Sequence, residues 1–242
     1  MALPRAGTFG GVCGRFLSTA TAASIAELFD AEEPDIDLGL NYNVAPTQDV
    51  YAVLERPDHV RVVRSLRWGL VPVWAKDPSI GSRLINARSE TAAEKPAFRD
   101  SLKRRRCIVP MSGFYEWKPG ESTHSPGRPA KQVKQPVLIE RSDGELLAVA
   151  GLWSAWADPA AEPRVWQHTC TVLTTAANET MAPIHDRMPV ILEREQWEAW
   201  LDPEEHDVAA LETLLVPAAS GILRMREVST EVNNVRNRGP FL

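Results

Sequence analysis

Short runs of alternating or β-branched apolar residues recur along the chain and predict strands, because each is bounded by Pro, Gly or Asp. They cover residues 50–55, 60–70, 136–140, 145–153, 168–175, 188–192 and 222–228. Helical periodicity is confined to "SIAELFD" (24–30), "REQWEAWLD" (194–202) and "DVAALETLLV" (207–216), each of which stops at or shortly before a proline or an Asp-Pro pair. Strands and helices do not alternate regularly, so the pattern predicts an α+β domain rather than a parallel βαβ sheet.

The segment 118–136, "KPGESTHSPGRPAKQVKQP", breaks this pattern. It is rich in Pro, Gly, Ser and Lys, and strand signals resume on both sides of it. We therefore predict a long surface loop between two strands rather than a linker between domains.

Composition places the chain among ordinary globular proteins, with 242 residues, 44% hydrophobic and 24% charged. No run of 18 apolar residues and no secretory signal occurs in it, so we expect a cytoplasmic protein that does not contact membranes. The three cysteines, Cys13, Cys107 and Cys170, lie far apart and near no histidine at ligand spacing. Neither a disulfide framework, a metal site nor an organic cofactor is therefore indicated.

Charge is unevenly distributed along the chain. The net charge of −5 argues against coating of nucleic acid by bulk electrostatics. Between Arg83 and Arg106, however, eight basic residues stand against three acidic ones. Such a run is most often a solvated helix face, and its alternative is a local contact with phosphates. Of the eight tryptophans most are expected in the core, while Trp68 and Trp74 next to this segment are candidates for base stacking.

Four groups carry chemical interest: Cys13 in "CGRF", Asn86 in "LINARSET", Glu116 in "SGFYEW" and His185 in "PIHDRMP". Singly, each is more often a structural residue, since a lone strand cysteine behaves as a small hydrophobe. Together they offer a nucleophile, an orienting amide, a carboxylate whose apolar neighbours raise its pKa and an imidazole near neutrality. That combination is a plausible acid/base set.

Eight segments follow one another along the chain: "CGRF", "YNVAPTQ", "RWGLVPVWA", "INARSETAAEKPAFRD", "RRCIVPMSGFYEW", "LTTAAN", "IHDRMPVIL" and "VSTEVNNVRN". In this order they resemble the signature segments of the SOS-response-associated peptidase-like (SRAP) family, which is also described as abasic-site processing or abasic-site sensor proteins. The resemblance spans residues 13 to about 238.

The resemblance implies a function. Members of this family recognise abasic sites in single-stranded DNA and form a covalent protein–DNA crosslink through an N-terminal cysteine, which shields the lesion. The matching positions here are Cys13 for the cysteine and Asn86, Glu116 and His185 for the rest of the catalytic set. The phosphate-binding arginines fall on Arg15 and Arg88, and we add Trp68, Trp74 and Arg99 as further DNA-binding candidates.

The resemblance also implies the architecture. We expect a single α+β domain whose mostly antiparallel sheet forms a barrel-like core flanked by short helices. A monomer is expected, with DNA containing abasic sites as its partner and no cofactor.

The expected chemistry needs a free amine at Cys13. An α-amine with a pKa near 8 is partly neutral at pH 7 and can condense with the aldehyde of the ring-opened abasic sugar. The thiol of the same residue can then close a thiazolidine ring, with the advantage of an intramolecular step. In this sequence, however, "MALPRAGTFGGV" precedes Cys13. A peptide nitrogen cannot form a Schiff base.

Three explanations of this N-terminal departure stand beside one another. Translation can begin at Val12 through a GTG codon, proteolysis can remove residues 1–12, or the extension stays and the crosslinking function is lost. We expect residues 1–12 to be an extension absent from the mature protein and residues 13–238 to form the domain.

Two other functions remain open. Cys13 with His185 and Asn86 would also suit a cysteine peptidase, a hydrolase that works with an internal cysteine, and the family label allows this class or a lyase. A single-stranded DNA-binding protein without catalysis would need only the arginines and tryptophans.

Overall fold

The computed structural model describes residues 13–123, 131–158 and 160–242. Strands dominate it, as the sequence pattern predicts. They are β1 (Phe16–Ser18), β2 (Asn41–Val44), β3 (Asp49–Glu55), β4 (Arg61–Trp68), β5 (Asn86–Arg88), β6 (Arg106–Met111), β7 (Gly113–Thr123), β8 (Lys131–Arg141), β9 (Leu147–Ala157), β10 (Trp166–Ala176), β11 (Arg187–Pro189) and β12 (Leu223–Glu227).

The helices are short. The α-helices are α1 (Ala22–Phe29), α2 (Ser89–Ala92), α3 (Arg99–Arg104), α4 (Trp197–Leu201) and α5 (Val208–Glu212), and the 3-10 helices are Pro78–Arg83, Arg194–Gln196 and Thr230–Asn233. The Thr21 side chain caps the N-terminus of α1, and Asp30 ends that helix in the left-handed conformation. None of these helices is long and apolar enough to cross a membrane, within the part of the chain that the structure describes.

Five strands close into a barrel in the order β10, β4, β3, β6, β9 and back to β10. All of these pairings are antiparallel except that of β10 with β4, which joins Thr169 to Arg67 and Cys170 to Trp68. The prediction of a mostly antiparallel, barrel-like core flanked by short helices is confirmed.

Both faces of strand β3 are buried. Val50 and Ala52 belong to an apolar cluster that extends to the second sheet, whereas Tyr51 and Val53 belong to a second cluster, which contains the apolar residues of α1. Burial on two faces explains why the sequence of β3 is almost continuously apolar.

The second sheet brings the N-terminal segment to the site. Its order is β12, β8, β7, β1, β2, and β1 pairs with β7 through Phe16–Phe114 and Leu17–Gly113. A Cβ at Gly113 would lie only 2.8 Å from the Ile139 carbonyl oxygen, so the close approach of β7 to β8 requires glycine there. The chain before β1 therefore runs alongside the residues after Phe114.

The predicted loop over 118–136 is wrong at both ends. Strand β7 continues to Thr123 and β8 begins at Lys131, with Lys118 paired to Gln135 and Thr123 to Lys131. Apolar alternation cannot reveal this hairpin, because its sequence is polar on both strands. Residues 124–130 of that prediction, and the predicted extension 1–12, lie outside the described residues.

Arg106 corrects the reading of the basic segment as a solvated face. It is buried, and its guanidinium donates to the carbonyls of Leu102 and Lys103 at the end of α3 and to those of Trp200 and Asp202 at the end of α4. These carbonyls have no partner within their own helices, so Arg106 closes two helix ends at once.

Candidate active site

The peptide nitrogen of Cys13 donates a hydrogen bond to Glu116 Oε1 over 2.6 Å. The pairing of β1 with β7 fixes this contact, because the Tyr115 N–H donates to the Arg15 carbonyl just beside it. Cys13 has φ of 53°, a left-handed conformation that is uncommon for a residue with a side chain. Both members of the pair are buried, with Cys13 0% and Glu116 6% exposed.

Burial dominates the electrostatics of this pair. Desolvation raises the pKa of Glu116 to about 7, although the N–H groups of Cys13 and Trp117 and the charge of Lys134 oppose the rise. The pKa of the Cys13 thiol is raised well above its usual value, first by burial and then by the nearby Glu116 carboxylate. Near neutral pH, Glu116 can therefore both hold and release a proton, whereas the thiol stays protonated.

Asn86, Arg88 and His185 are brought together around the C-terminal end of β10. Strand β5 pairs with one side of β10, so that Arg88 lies opposite Thr174, while β11 pairs with the other side. The Arg187 guanidinium on β11 reaches across to Glu90, which follows β5. It donates to the two Glu90 carboxylate oxygens at 2.5 and 2.8 Å and to the Thr174 carbonyl at 2.6 Å. The sheet therefore holds Arg88 close to the segment that carries His185.

One apolar cluster joins these two halves. Cys13 belongs to the same buried cluster as Ile85, and the half-buried Ile184 packs against that cluster. Because Ile85 precedes Asn86 and Ile184 precedes His185, this cluster, which contains Cys13, also lies next to the backbone of Asn86 and His185.

His185 contacts the two residues that follow it through Nδ1. The Arg187 peptide N–H lies 3.1 Å from Nδ1, and Asp186 Oδ1 lies 2.8 Å from it. In the neutral ring, Nδ1 accepts from Arg187 and the proton is on Nε2, whereas in the imidazolium Nδ1–H donates to Asp186. Each protonation state thus has a partner, as an acid/base group requires.

Arg15 is anchored within the protein. Its Nη1 donates to Asn43 Oδ1 at 2.9 Å and to the Val232 carbonyl at 2.6 Å, and its guanidinium carbon lies 5.5 Å from the centre of the Trp117 ring. Sequence reasoning missed Asn43 and Trp117. The signal for both was their position inside motifs of the resemblance, "YNVAPTQ" and "SGFYEW".

The prediction that Trp68 stacks on a base is wrong. Trp68 is 0% exposed, its Nε1 donates to the Ile85 carbonyl at 2.9 Å, and its ring meets Phe16 edge to face at 5.2 Å. The ring therefore offers no surface to a nucleobase, and Trp68 supports the strand that carries Asn86.

The other three DNA-binding candidates are exposed. Trp74 is 55% exposed, and the side chain of Arg88 is exposed although Ala87 before it is buried. Arg99 is exposed at the start of α3, where its guanidinium lies 3.9 Å from Asp100. Their binding roles stay predictions. Within the described ranges, no three His, Cys, Asp or Glu side chains are arranged to hold a metal ion.

The fold and this site define the class of protein. The profile of the family described as SOS response associated peptidase (SRAP) matches residues 12–235. The chain therefore belongs to the SRAP family.

Particular relatives share almost their whole length with it. It is 40% identical over 233 residues to the abasic site processing protein YoqW of Bacillus subtilis (strain 168), covering 96% of this chain and 98% of that protein. It is 31% identical over 242 residues to the abasic site processing protein YedK of Escherichia coli (strain K12), with coverages of 96% and 98%. A crystal structure of a Bacteroides thetaiotaomicron protein has a TM-score of 0.77 at 25% identity, covering 94% of this chain and 100% of that one.

Proposed function

We propose that this protein processes abasic sites in single-stranded DNA by forming a thiazolidine crosslink between Cys13 and the aldehyde of the ring-opened sugar. The observation that carries the proposal is the 2.6 Å contact between the Cys13 nitrogen and Glu116 Oε1. It places a buried carboxyl group, whose pKa is about 7 next to the peptide nitrogen, on the atom that must act as the amine nucleophile.

The reaction balances without a cofactor. The neutral amine of Cys13 adds to the aldehyde carbon, and loss of one water leaves an imine. The thiol sulfur then bonds to that carbon, the π electrons of the imine pass to nitrogen, and the thiol proton ends on nitrogen. The product is a five-membered ring made from the amine, the thiol and the former aldehyde carbon, so the imine no longer promotes β-elimination of the strand.

Glu116 is proposed to move the protons of this sequence. As carboxylate it takes a proton from the α-ammonium group, and as acid it protonates the hydroxyl of the amine–aldehyde adduct, which then leaves as water. His185 is proposed to act at the sugar hydroxyl and in reversal of the crosslink, since each of its protonation states has a partner at Nδ1. Asn86 is proposed to orient the adduct from the adjacent end of β5.

Exposed positive and aromatic groups suit a nucleic acid strand. Arg88 is exposed, and we propose that it and Arg15 bind the phosphates that flank the lesion. Trp74 is exposed and is proposed to stack on a base. We also propose a monomer as the working form.

We further propose that the working protein begins at Cys13 and that residues 13–238 form its domain. The match to the family profile starts at residue 12, one position before the cysteine. A free amine there would meet Glu116 in place of the peptide N–H.

A cysteine peptidase is the weaker alternative. An activated thiol needs a lowered pKa, usually from a neighbouring cation. Here burial and Glu116 raise the pKa of the Cys13 thiol. This shift disfavours a thiolate nucleophile and leaves the amine route, which does not need one.

The test compares two forms of the protein, one beginning at Cys13 and one retaining residues 1–12. Each is mixed with single-stranded DNA carrying one abasic site and run on a denaturing gel. We expect a heat-stable shifted band only from the first form, and loss of that band in Cys13→Ser but not in Cys107→Ser, which alters another buried cysteine. Binding without any band would leave the passive DNA-binding function in its place.

A further inference from the structure

We propose that Asn43 is a positioning residue for DNA binding, which acts through Arg15 and fixes the edge of the guanidinium that meets a phosphate. The inference rests on the proposed function. It joins two motifs that the catalytic chemistry leaves unused, "YNVAPTQ" near the N-terminus and "VSTEVNNVRN" near the C-terminus.

Asn43 is 0% exposed, and its side chain is surrounded by hydrogen-bond partners. Oδ1 accepts from Arg15 Nη1 at 2.9 Å. Nδ2 lies 3.0, 3.2 and 2.9 Å from the carbonyl oxygens of Val232, Asn234 and Asn237. The orientation of this amide is settled chemically, because the opposite one would set its oxygen against three acceptors and its nitrogen against a donor.

The partners of Arg15 define which of its donors remain. A guanidinium has five N–H groups. Nη1 uses both of its own on Asn43 and Val232, and Nη2 uses one on the Asn233 carbonyl at 3.3 Å. Among the described residues, the Nε–H and the second Nη2–H have no acceptor. These two form the side edge of the fork, which matches two oxygens of a phosphate.

Among the described residues, no carboxylate forms an ion pair with Arg15. Every group that accepts from it in the described structure is a neutral carbonyl or amide oxygen. Burial lowers the pKa of Arg15, which reflects the cost of holding this cation away from water. A phosphate on the remaining edge would supply the missing negative charge.

Trp117 fixes the plane of the same guanidinium. The Arg15 guanidinium carbon lies over the Trp117 ring at 5.5 Å, and Trp117 Nε1 donates to Asn233 Oδ1 at 2.7 Å. Trp117 follows Glu116 in β7, so the two side chains leave opposite faces of the strand, and Arg15 lies on the face of Trp117. Loss of the Asn43 amide would remove one hydrogen bond of Arg15 and the hydrogen bonds that hold the 232–237 segment, whose Val232 carbonyl also accepts from Arg15.

The test measures binding alone, with an undamaged single-stranded oligonucleotide and fluorescence anisotropy at several salt concentrations. We expect Asn43→Ala and Arg15→Ala each to weaken binding about tenfold, as for one charge-assisted contact. Each should lower the magnitude of the salt slope by about 0.7, the share of one phosphate on a single strand. The double variant should bind no more weakly than Arg15→Ala, since both changes remove the same contact.

Tyr51→Phe is the matched control. It removes part-buried hydrogen bonds with Asp37 and Leu38 on the helix-covered side of the sheet, and it should leave the salt slope unchanged. If Asn43→Ala does not fold, the milder Asn43→Ser takes its place in the same cycle, checked by its unfolding midpoint. Additive losses, or weaker binding with an unchanged salt slope, would overturn the inference. The oligonucleotide of this test has no abasic site, so the binding result does not depend on crosslinking. Failure of the wild-type protein to crosslink a damaged strand would count against the proposed function and not against the role of Asn43.

Discussion

Replacing Glu116 by glutamine is expected to stabilise the protein while it removes the proposed activity. The carboxyl group is 6% exposed, and its pKa is raised from 4.5 to about 7 by desolvation. The folded state therefore holds the proton more tightly than the unfolded state. The resulting stability is fully present below about pH 4.5 and is lost as pH rises through about 7.

The magnitude follows from the size of this shift. A difference of about 2.5 pKa units corresponds to roughly 3 kcal/mol of unfolding free energy at pH 8, to within a factor of two. Glutamine stays neutral and keeps an oxygen that can accept from the Cys13 nitrogen. The variant should therefore match the wild-type protein at pH 4.5 and exceed it by up to roughly 3 kcal/mol at pH 8.

The assay is urea unfolding of the full chain between pH 4.5 and 8, followed by tryptophan fluorescence. The full chain is needed because its Cys13 nitrogen is a peptide N–H, and an α-ammonium group in its place would lower the pKa of Glu116. Glu94→Gln, at an exposed position, is the control and should show no such trend. A stability difference between Glu116→Gln and wild type that is the same at every pH would refute the reasoning.

Activity should move in the opposite direction. In protein beginning at Cys13, we expect Glu116→Gln to slow crosslinking by about 10²- to 10⁴-fold, the usual contribution of a general acid/base group. A rate within threefold of wild type would remove Glu116 from the mechanism. Stability gained where activity is lost is typical of a group kept for function.

Three further predictions concern DNA binding. Arg88→Ala should weaken binding to single strands regardless of base sequence and reduce the magnitude of the salt slope by about 0.7. Arg104→Ala, on the exposed face of α3, should do neither. Equal effects of the two variants would remove the phosphate role of Arg88. Glu90→Gln should strengthen binding several-fold at low salt, because this carboxylate pairs with Arg187 and lies near Arg88. Glu94→Gln is the control for net charge, and equally tight binding by both variants would show only the effect of net charge. Trp74→Ala should cost roughly 1–3 kcal/mol of binding if a base stacks on it, while Trp166→Ala should not; the two rings are 55% and 56% exposed, so a shared loss would point to general hydrophobicity.

The strands of the barrel could be predicted because they are largely buried and their sequences are therefore rich in apolar residues. Both faces of β3 are covered, so its sequence is apolar throughout and short-range patterns suffice to find it. The hairpin of β7 and β8 escaped the same reasoning, since its outer part is held by backbone pairing between polar residues. The three-residue strands β1 and β5 are too short to show a period.

The sequence names candidate residues of the site, which stay predictions, but it does not reveal their geometry. Cys13 and Glu116 are 103 residues apart, and only the pairing of β1 with β7 brings them into contact. Arg106 and Trp68 were misjudged for a related reason, because a basic run and an aromatic beside a loop look exposed until long-range packing is known. Their partners, Trp200 and Ile85, lie on segments that no local pattern links to them.

The most direct test of the account is the chemical state of Cys13 after reaction with an abasic site. Protein beginning at Cys13 is incubated with the damaged strand, treated with iodoacetamide under denaturing conditions and digested, and the N-terminal peptide is weighed. The account predicts a mass equal to peptide plus the sugar fragment minus one water, with no alkylation, because the ring consumes both the amine and the thiol. A peptide of that mass whose thiol is alkylated, or an N-terminal peptide without the sugar fragment, would contradict it.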